Sequence, residues 1–495
     1  MEADNFDVAD NKIGPNMYTV SAQYVQPLAQ KAGSMSWALM RNPEGLKCDL
    51  FITHGWIEGI FELIDKVVYS WPVGNKAAYC CVFSNPQTLD IASLLRIPRE
   101  SPFAKSLDSA THMLVVPNQS TSIYSRLLCV YEAYLAFSMD RVILTATAPI
   151  RRRVLRCLAW QCLFLVMGLI AGISYHQVDE KKHHKKPVWA LPAMMLLGFL
   201  SKPVHMCKGP DKWWCPKFPL LLAINSLGMF LASASLGQIL AEAALESVAT
   251  CKQGVTFYLI FFGYFLLSEV DRVRATRQIE EARCLSRGFT SVQNADCSSP
   301  ADALQIQQEI QREMAEVDEA IVMLRSSGMS TPALREAFLH GADVRGAGNI
   351  SYSNLCFSMG MWFLLQGLYL GLALDGKSPG LLSIWIILSL AFLVMCSLWW
   401  FVRASSVQRA FAVAVSSKFA ILAMATLLFV MAAMIESTGI FPDADQHAAY
   451  WGASIGGYTA LTCLCCHLGL AGIARIPLCG PWLTGLLGPA NSLCW

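Results

Sequence analysis

The fold is decided by HMLVVPNQSTSIYSRLLCVYEAYLAFSMDRVILTA, residues 112–146. An apolar run, HMLVVPN at 112–118, precedes an amphipathic helix pattern, YSRLLCVYEAYLAFSM at 124–139, and a second apolar run, RVILTA, follows at 141–146. Short continuous apolar runs are typical of strands buried on both faces, and a helix between two such runs is typical of parallel pairing. The stretch therefore predicts a strand–helix–strand unit of an α/β fold.

The same alternation extends toward the N-terminus. CDLFIT at 48–53 predicts a first strand and IEGIFELIDKVVYSW at 57–71 a helix, because its apolar residues recur at helical spacing. AAYCCVF at 77–83 predicts a second strand, and SPFAKSLDSA at 101–110 predicts a helix opened by Ser101 with Pro102 at its first position. We therefore expect an N-terminal tail over 1–46 and a parallel-sheet domain over 47–150.

The composition changes after residue 150. Charged residues make up 15% of the chain, against about 25% in ordinary domains, and the mean hydropathy is +0.42. Apolar runs long enough to cross about 30 Å of hydrocarbon predict an all-α polytopic bundle of about eight helices, four over 154–270 and four over 353–473. The expected spans are 155–175, 187–206, 218–241, 254–270, 353–374, 379–402, 415–436 and 448–473. A polar insert over 271–350 separates the two groups, and a tail over 474–495 follows them.

The charges predict the orientation of the chain. The first residues, MEADNFDVADNKIG, are acidic and lack the apolar core of a secretory signal. Lys and Arg residues such as Arg151, Arg272 and Arg403 concentrate on the flanks that share a side with the N-terminus, although the Lys-rich segment 181–186 contradicts the trend. Both termini are therefore expected in the cytosol, with the lipid bilayer as a partner. The net charge of +2 excludes a strongly basic nucleic-acid binder.

The polar insert contains two recognisable patterns. ADALQIQQEIQREMAEVDEAIVMLR at 301–325 predicts a helix with apolar residues near heptad spacing, which could pair with another copy and which we expect to rest against the membrane bundle. The following segment is similar to one EF-hand, with Asp343 and Gly348 at loop positions 1 and 6. Positions 3, 5 and 12 are Arg345, Ala347 and Asn354, so carboxylate ligands are missing and the hand is expected to be degenerate and not to bind calcium.

Cysteines and charges within the spans give few candidate sites. Most of the 18 cysteines fall in the predicted domain, spans or cytosolic loops, which does not indicate a disulfide framework. Cys463, Cys465, Cys466 and His467 could hold a soft metal, but packing explains them equally, and we expect no metal. Ionisable residues such as Glu269 lie near span ends, which argues against a transport pathway.

The N-terminal domain resembles the TIR superfamily, whose fold is flavodoxin-like. The resemblance covers about 100 residues and is carried by strand residues Leu114, Val115 and Val116, turn residues Pro117 and Asn118, and helix residues Ser125, Cys129 and Glu132. Leu128 departs from the family pattern, which usually has Trp at this position. FITHGW at 51–56 is similar to the first strand of the branch that ends in Ser-His-x-Trp.

The resemblance implies a site and an activity. In TIR domains that cleave NAD, the helix Glu faces the nicotinamide-side ribose, so the resemblance gives Glu132 a catalytic role and makes NAD a candidate substrate, with no certain cofactor. His54, Gly55 and Trp56, at the end of the first strand, would lie at the same sheet edge and contact the ligand. The competing interpretation is structural: a solvated Glu132, a His54 that binds a neighbouring loop, and a packed Trp56.

Three functional hypotheses follow from these patterns. The first is signalling, in which the TIR-like domain forms homo-oligomers or recruits partners, with or without NAD glycohydrolase activity. The second is a channel or transporter with a regulatory cytosolic domain. The third is a structural membrane protein whose domain is not catalytic.

Overall fold

The predicted strands form one sheet in the structure, a computed structural model that describes part of the chain. The described residues are 13–88, 97–119, 122–179, 197, 217–245, 252–289, 291–297, 300–311, 313–344, 347–348, 350–360, 362–363, 386, 389–390, 409–420, 422–423 and 444–487. They fall into two units, one of Met1–Ile150 with Ala275–Leu339 and one of Arg151–Arg274 with His340–Trp495. We call these the sheet unit and the membrane unit.

The strands are β1 Leu50–Thr53, β2 Ala78–Cys80, β3 His112–Val115, β4 Val142–Thr145 and β5 Met329–Ser330. The helices, in chain order, are α1 Met17–Val20, α2 Gln26–Lys31, α3 Trp37–Arg41, α4 Ile60–Tyr69, α5 Cys81–Ser84, α6 Pro102–Ser109, α7 Leu127–Ser138, α8 Arg151–Asp179, α9 Lys217–Leu245, α10 Lys252–Ser286, α11 Pro300–Ile310, α12 Met314–Ser327, α13 Pro332–Leu339, α14 Ala444–Ala474 and α15 Gly480–Leu487.

The sheet has the order β2-β1-β3-β4-β5. The first four strands are parallel, with Phe51 opposite Tyr79 on one side and Met113 on the other, which confirms the predicted parallel arrangement. The fifth strand is antiparallel: Leu144 in β4 lies opposite Met329. The sheet is therefore mixed, and its last strand comes from the insert.

The second strand is shorter than predicted. AAYCCVF was expected to be extended throughout, but β2 ends at Cys80 and α5 begins at Cys81. The Cys80 N–H donates to Ser84 Oγ at 3.1 Å, so a side chain replaces the next strand partner. Asn85 is extended before Pro86, as residues preceding proline usually are, and this limits α5 to one turn. Cys81 is thereby placed at the carboxyl edge of the sheet.

Helix α4 packs with an unusual pattern. Val67 faces the core, as the spacing predicted, and so does Leu63, but Glu62 and Lys66 are buried as well. The backbone N–H groups of Phe61 and Glu62 donate to the Ile13 carbonyl, so the preceding chain caps the helix. Gly59 is required at this crossing, because a Cβ there would lie 2.1 Å from the Ile13 oxygen.

The insert completes the sheet unit. We expected residues 301–325 to rest against the membrane bundle; instead α11 and α12 pack against α7, and Ile306, Ile310 and Ile321 share its core. The reason lies in α7, which is buried along nearly its whole length and needs an outer layer to cover it. The part of the insert that joins this unit is Ala275–Leu339, narrower than the predicted 271–350.

The membrane unit contains three described helices that are long and apolar enough to cross a bilayer. These helices are Arg151–Tyr175, Pro219–Ala241 and Ala453–Ala474, and they correspond to the predicted spans 155–175, 218–241 and 448–473. These three helices support the interpretation of the chain as a membrane protein. The predicted span 254–270 is helical, within α10. The predicted spans 187–206, 353–374, 379–402 and 415–436 lie wholly or in large part outside the described residues, as does Arg345 of the EF-hand-like segment.

Glycines bring α8 and α9 into close contact. A Cβ on Gly168 would lie 2.5 Å from the Phe230 carbonyl oxygen, and one on Gly172 would lie 2.0 Å from the Ala234 carbonyl oxygen. On the facing helix, a Cβ on Gly237 would lie 2.6 Å from the Leu169 carbonyl oxygen. Only glycine allows backbones to approach this closely, as at packed interfaces of membrane helices.

Candidate functional site

The candidate site lies at the carboxyl edge of the sheet, between β1 and β3. These strands are neighbours, but the chain leaves β1 for β2 on one side and leaves β3 for β4 on the other. Open α/β sheets bind ligands in the crevice at such a reversal of strand order. Thr53 and His54 end β1, and Val116, Pro117 and Asn118 follow β3, and the structure buries the side chains of Thr53, His54 and Asn118.

Glu132 points toward this edge from α7. Its Oε2 accepts a hydrogen bond of 2.5 Å from Thr53 Oγ1, and the residue is 5% exposed. Burial raises the pKa of the Glu132 carboxyl to about 7, and the Thr53 hydrogen bond and the charge of Arg126 act in the opposite direction. The structure therefore places the predicted catalytic residue against the end of β1, enclosed and not solvated.

His54 is the most connected of the other predicted site residues. Its Nε2 lies 3.4 Å from Cys81 Sγ, and its Nδ1 lies 3.6 Å from Glu58 Oε1. The Cys129 thiol lies 3.8 Å from the His54 carbonyl oxygen and helps to fix the strand end. Burial lowers the pKa of His54 to about 4, so the imidazole is neutral at physiological pH.

Gly55 and Trp56 have different surroundings. A Cβ on Gly55 would lie 2.8 Å from Asn118 Nδ2, so glycine permits β1 and the segment after β3 to approach closely. Trp56 is half-buried and packs on Tyr18, with 5.2 Å between ring centroids. Trp56 thus has a packing partner. This contact favours the structural interpretation of Trp56 over contact with a ligand.

Glu58 is a buried carboxyl that the sequence did not single out. Among the described residues, neither of its oxygens makes a hydrogen bond of good geometry, and the same holds for His54 Nδ1; the Gly55 backbone interacts weakly with both residues. Burial raises the pKa of Glu58 well above its usual value, and the charge of Lys66 acts in the opposite direction. At rest this residue is a protonated acid or a poorly compensated anion beside an imidazole, an arrangement typical of functional sites.

A buried charge cluster lies next to this edge, formed by Glu62, Lys66 and Glu281 with Arg277. Lys66 is 1% exposed; its Nζ lies 2.8 Å from Glu62 Oε1 and 3.4 Å from Glu281 Oε2, and it donates to the Pro117 carbonyl. Arg277 compensates Glu281 from the same helix at 2.5 Å. Sequence spacing indicated none of this, because Glu281 is over 200 residues from Lys66 along the chain.

The pKa of Glu132 predicts how stability depends on pH. Because burial raises the folded-state pKa to about 7 from the usual 4.5, the folded protein binds more protons than the unfolded chain between these pH values. The contribution of Glu132 to stability therefore falls as the pH rises through this window. Above the window the loss is complete and amounts to about 3 kcal/mol. Glu132→Gln should remove this loss. The check is the stability difference between Glu132→Gln and wild type from pH 5 to 8, in which contributions common to both proteins, such as that of His54, cancel.

The expected result is a difference that grows with pH in favour of Glu132→Gln. A difference that stays constant across the same range would contradict the raised pKa. Conditions above pH 8 serve as the control, because there the carboxyl is ionised in both states and the difference should level off.

The described part of the membrane unit gives no comparable site. Among the described residues, no three or more His, Cys, Asp or Glu side chains lie close enough together to hold a metal ion, and these residues include Cys463, Cys465, Cys466 and His467. Buried Glu269 accepts a hydrogen bond from Asn225 at 2.7 Å and pairs with Arg272 at 2.8 Å. Its charge is therefore compensated within the protein.

Comparisons with known proteins return no match for this chain. No protein-family model, no curated protein and no solved structure is similar enough to match it. The resemblance to TIR domains therefore rests on the quoted residues alone.

Proposed function

We propose that this chain is a multi-pass integral membrane protein of about eight spans whose TIR-like sheet domain acts in signalling by self-association. Both termini and the sheet unit lie in the cytosol in this proposal, as the distribution of Lys and Arg favours. The strand order β2-β1-β3-β4, with Glu132 at the carboxyl edge, agrees with what the resemblance implies. The NAD-cleaving version of the proposal assigns the catalytic role to Glu132.

The geometry favours assembly over NAD turnover. A carboxylate that stabilises a developing oxocarbenium ion must be ionised and must face its substrate. Glu132 is enclosed, is hydrogen-bonded to Thr53, and has a pKa raised to about 7. NAD would reach it only after the end of β1 had moved.

The observation that carries the proposal is an apolar stripe on α4. Phe61, Ile64 and Val68 are 46, 47 and 69% exposed and recur at three- and four-residue spacing, so they lie along one side of the helix. Aligned apolar residues on a protein surface mark interaction sites. The occupant we propose is the same stripe of a second copy, because copies held in one membrane with one orientation meet at high effective concentration.

The stripe predicts how charge affects assembly. Val68→Asp should weaken self-association at least about tenfold, since it replaces a contact worth about 1.5–3 kcal/mol with a charge that would be buried. The measurement is co-purification of two differently tagged full-length copies in mild detergent. Leu304→Asp is the matched control, because Leu304 is 59% exposed on α11, outside the stripe. Equal recovery of Val68→Asp and wild type would contradict the proposal.

The enzymatic version is tested separately. If the domain acts by assembly alone, the full-length wild-type protein should consume NAD no faster than its Glu132→Gln variant. A loss of turnover in Glu132→Gln, with its self-association intact, would establish catalysis. NAD consumption and self-association can be tested independently, since Glu132 is not part of the α4 stripe.

The alternative of a channel or transporter gains no specific support from the described residues. Unpaired charge within spans is the usual sign of an ion or substrate path. In the described part of the membrane unit, Glu269 is paired with Arg272, and Gln161 Nε2 donates to Ser226 Oγ at 3.3 Å. These contacts give the Glu269 carboxylate and the Gln161 amide nitrogen partners within the packed helices.

A further inference from the structure

Three side chains at the carboxyl edge of the sheet form a relay that no motif in the sequence indicated. Cys81 Sγ lies 3.4 Å from His54 Nε2, and the opposite ring nitrogen, Nδ1, lies 3.6 Å from Glu58 Oε1. A thiol, an imidazole and a carboxyl in this order are a nucleophile, a general base and a group that orients the base. The order depends on the fold, because His54 follows β1 whereas Cys81 follows β2.

The end of β2 makes the arrangement possible. The strand stops at Cys80 and the chain turns into α5, so Cys81 is directed to the sheet edge and not into the strand ladder. Cys81 is partly exposed, whereas His54 and Glu58 are buried. The base and its partner are therefore shielded from water, as acyl-transfer sites require, and Cys81 is the least buried residue of the three.

Glu58 and His54 hold polar atoms that are poorly hydrogen-bonded at this place. Both Glu58 oxygens and His54 Nδ1 are buried and make no hydrogen bond of good geometry within the described structure, and the Gly55 backbone is the only hydrogen-bonding group recorded beside them. Buried polar atoms of this kind are costly and are retained mainly where they serve a function. A small movement of the His54 ring would form the Nδ1–H to Glu58 bond that fixes the tautomer in which Nε2 accepts a proton.

We propose that Cys81, His54 and Glu58 form a thiol acyl-transfer site whose substrate is an ester or thioester with an apolar acyl group. Cys81 packs against an apolar core that includes Phe51, Tyr79 and Phe103, and this apolar surrounding of the thiol is the basis for proposing an apolar acyl group. Cys81 is the nucleophile, His54 the general base, and Glu58 a positioning residue. The site is independent of the proposed self-association and of NAD cleavage.

The reaction balances without an added oxidant or reductant. His54 Nε2 takes the proton of the Cys81 thiol as sulfur forms a bond to the acyl carbon. The bond from that carbon to the leaving alcohol or thiol breaks, and His54 returns the proton to the leaving group. Water then attacks the acyl-Cys81 thioester, with His54 accepting its proton, and the carbon–sulfur bond breaks to restore the thiol and release the acid.

The environment of the thiol keeps it protonated at rest. Burial raises the pKa of Cys81 well above its usual value, and the neighbouring Cys80 and Glu132 act in the same direction. A hydrogen bond from the Trp56 side chain and the charge of Arg126 oppose them. The thiol is therefore protonated at rest and requires His54, a neutral imidazole at physiological pH, to remove its proton as the acyl bond forms.

The test uses full-length protein in detergent with p-nitrophenyl octanoate as the probe. Release of p-nitrophenol in the first turnover and the acyl adduct on the Cys81 peptide, detected by mass spectrometry, are the readouts. Cys81→Ser and His54→Asn should each slow the first turnover by about 10²–10⁴-fold. Cys48→Ser is the matched control and should leave it unchanged, because Cys48 is a partly buried thiol of the same unit without a histidine contact of this kind.

Two measurements keep the proposal falsifiable if a variant misfolds. In wild-type protein, the adduct should form on Cys81 faster than on Cys48, which requires no substitution. Glu58→Gln should lower kcat with little change in KM, and this distinguishes positioning of the base from a purely structural role. Equal acylation of Cys81 and Cys48, or a first turnover that is the same in folded Cys81→Ser as in wild type, would overturn the proposal.

Discussion

Lys66→Ala should lower the free energy of unfolding of the sheet unit by about 3–5 kcal/mol, the usual cost of removing one partner from a buried ion cluster. Lys66 is fully buried between Glu62 and Glu281 and also donates to the Pro117 carbonyl. Without it, the two carboxylates lose their shared cation and the carbonyl at the end of β3 loses its donor. The measurement is pulse proteolysis of the full-length protein across a denaturant series.

The control for this prediction is Lys105→Ala, because Lys105 is exposed on α6 and its loss should cost less than about 0.5 kcal/mol. Adding Glu62→Gln to Lys66→Ala should recover part of the lost stability, since Lys66 is the cation paired with Glu62, whereas Glu281 keeps its contact with Arg277. A Lys66→Ala protein as stable as Lys105→Ala would show that Lys66 is not buried among these carboxylates.

Gly172→Leu should prevent α8 and α9 from packing as they do. Overpacked cores typically cost about 1–3 kcal/mol, and the cost here should lie at or above the top of that range. The reason is that the atom in the way is a backbone oxygen, that of Ala234, 2.0 Å from the position of the added Cβ. The two helices would have to separate. The expected result is loss of monodisperse protein in detergent and a lowered thermal midpoint.

The matched control is Gly456→Leu in α14. Apart from its chain neighbours and the backbone of its own helix, no described atom lies within 4 Å of a Cβ built at Gly456, and the residue is exposed, so the substitution should be tolerated. Both glycines belong to apolar helices of membrane length, so a general effect of leucine in a span would appear in both variants. Equal behaviour of the two would contradict the close contact between α8 and α9.

The sequence predicted the parallel strands and missed the fifth. Apolar runs such as LFIT in β1 are long enough to be read directly, because a buried parallel strand is apolar on both faces. β5 has two residues and carries no such pattern, and its pairing with β4 depends on a contact between segments about 185 residues apart. Periodicity reports only local structure, so contacts of this kind are not visible in it.

Only part of the candidate site was predicted, again because sequence patterns report local structure. Glu132 and His54 could be found because they follow strands or sit in a helix whose order along the chain was already clear. Cys81 could not, because AAYCCVF predicts an unbroken strand and only the Ser84 hydrogen bond shows where it ends. Helix α4 misled in another way: its spacing indicated one apolar face, whereas the fold buries Glu62 and Lys66 and exposes Ile64 and Val68.

The most direct test is whether the insert supplies the last strand of the sheet. The pairing of Lys66 with Glu281 depends on the same segment, because Glu281 lies in the part of the insert that joins the sheet unit. Leu144 and Met329 are opposite residues of β4 and β5, so their Cα atoms lie within the range that a disulfide spans. The double variant Leu144→Cys with Met329→Cys should form a disulfide on mild oxidation. After cleavage at a protease site inserted within 181–186, its two fragments should stay linked on a non-reducing gel.

The control is the double variant Leu144→Cys with Ser330→Cys. This pair is one residue out of register and directs its thiols to opposite faces, so the fragments of this variant should separate. Separation of the first pair, or equal linkage of both, would contradict the account.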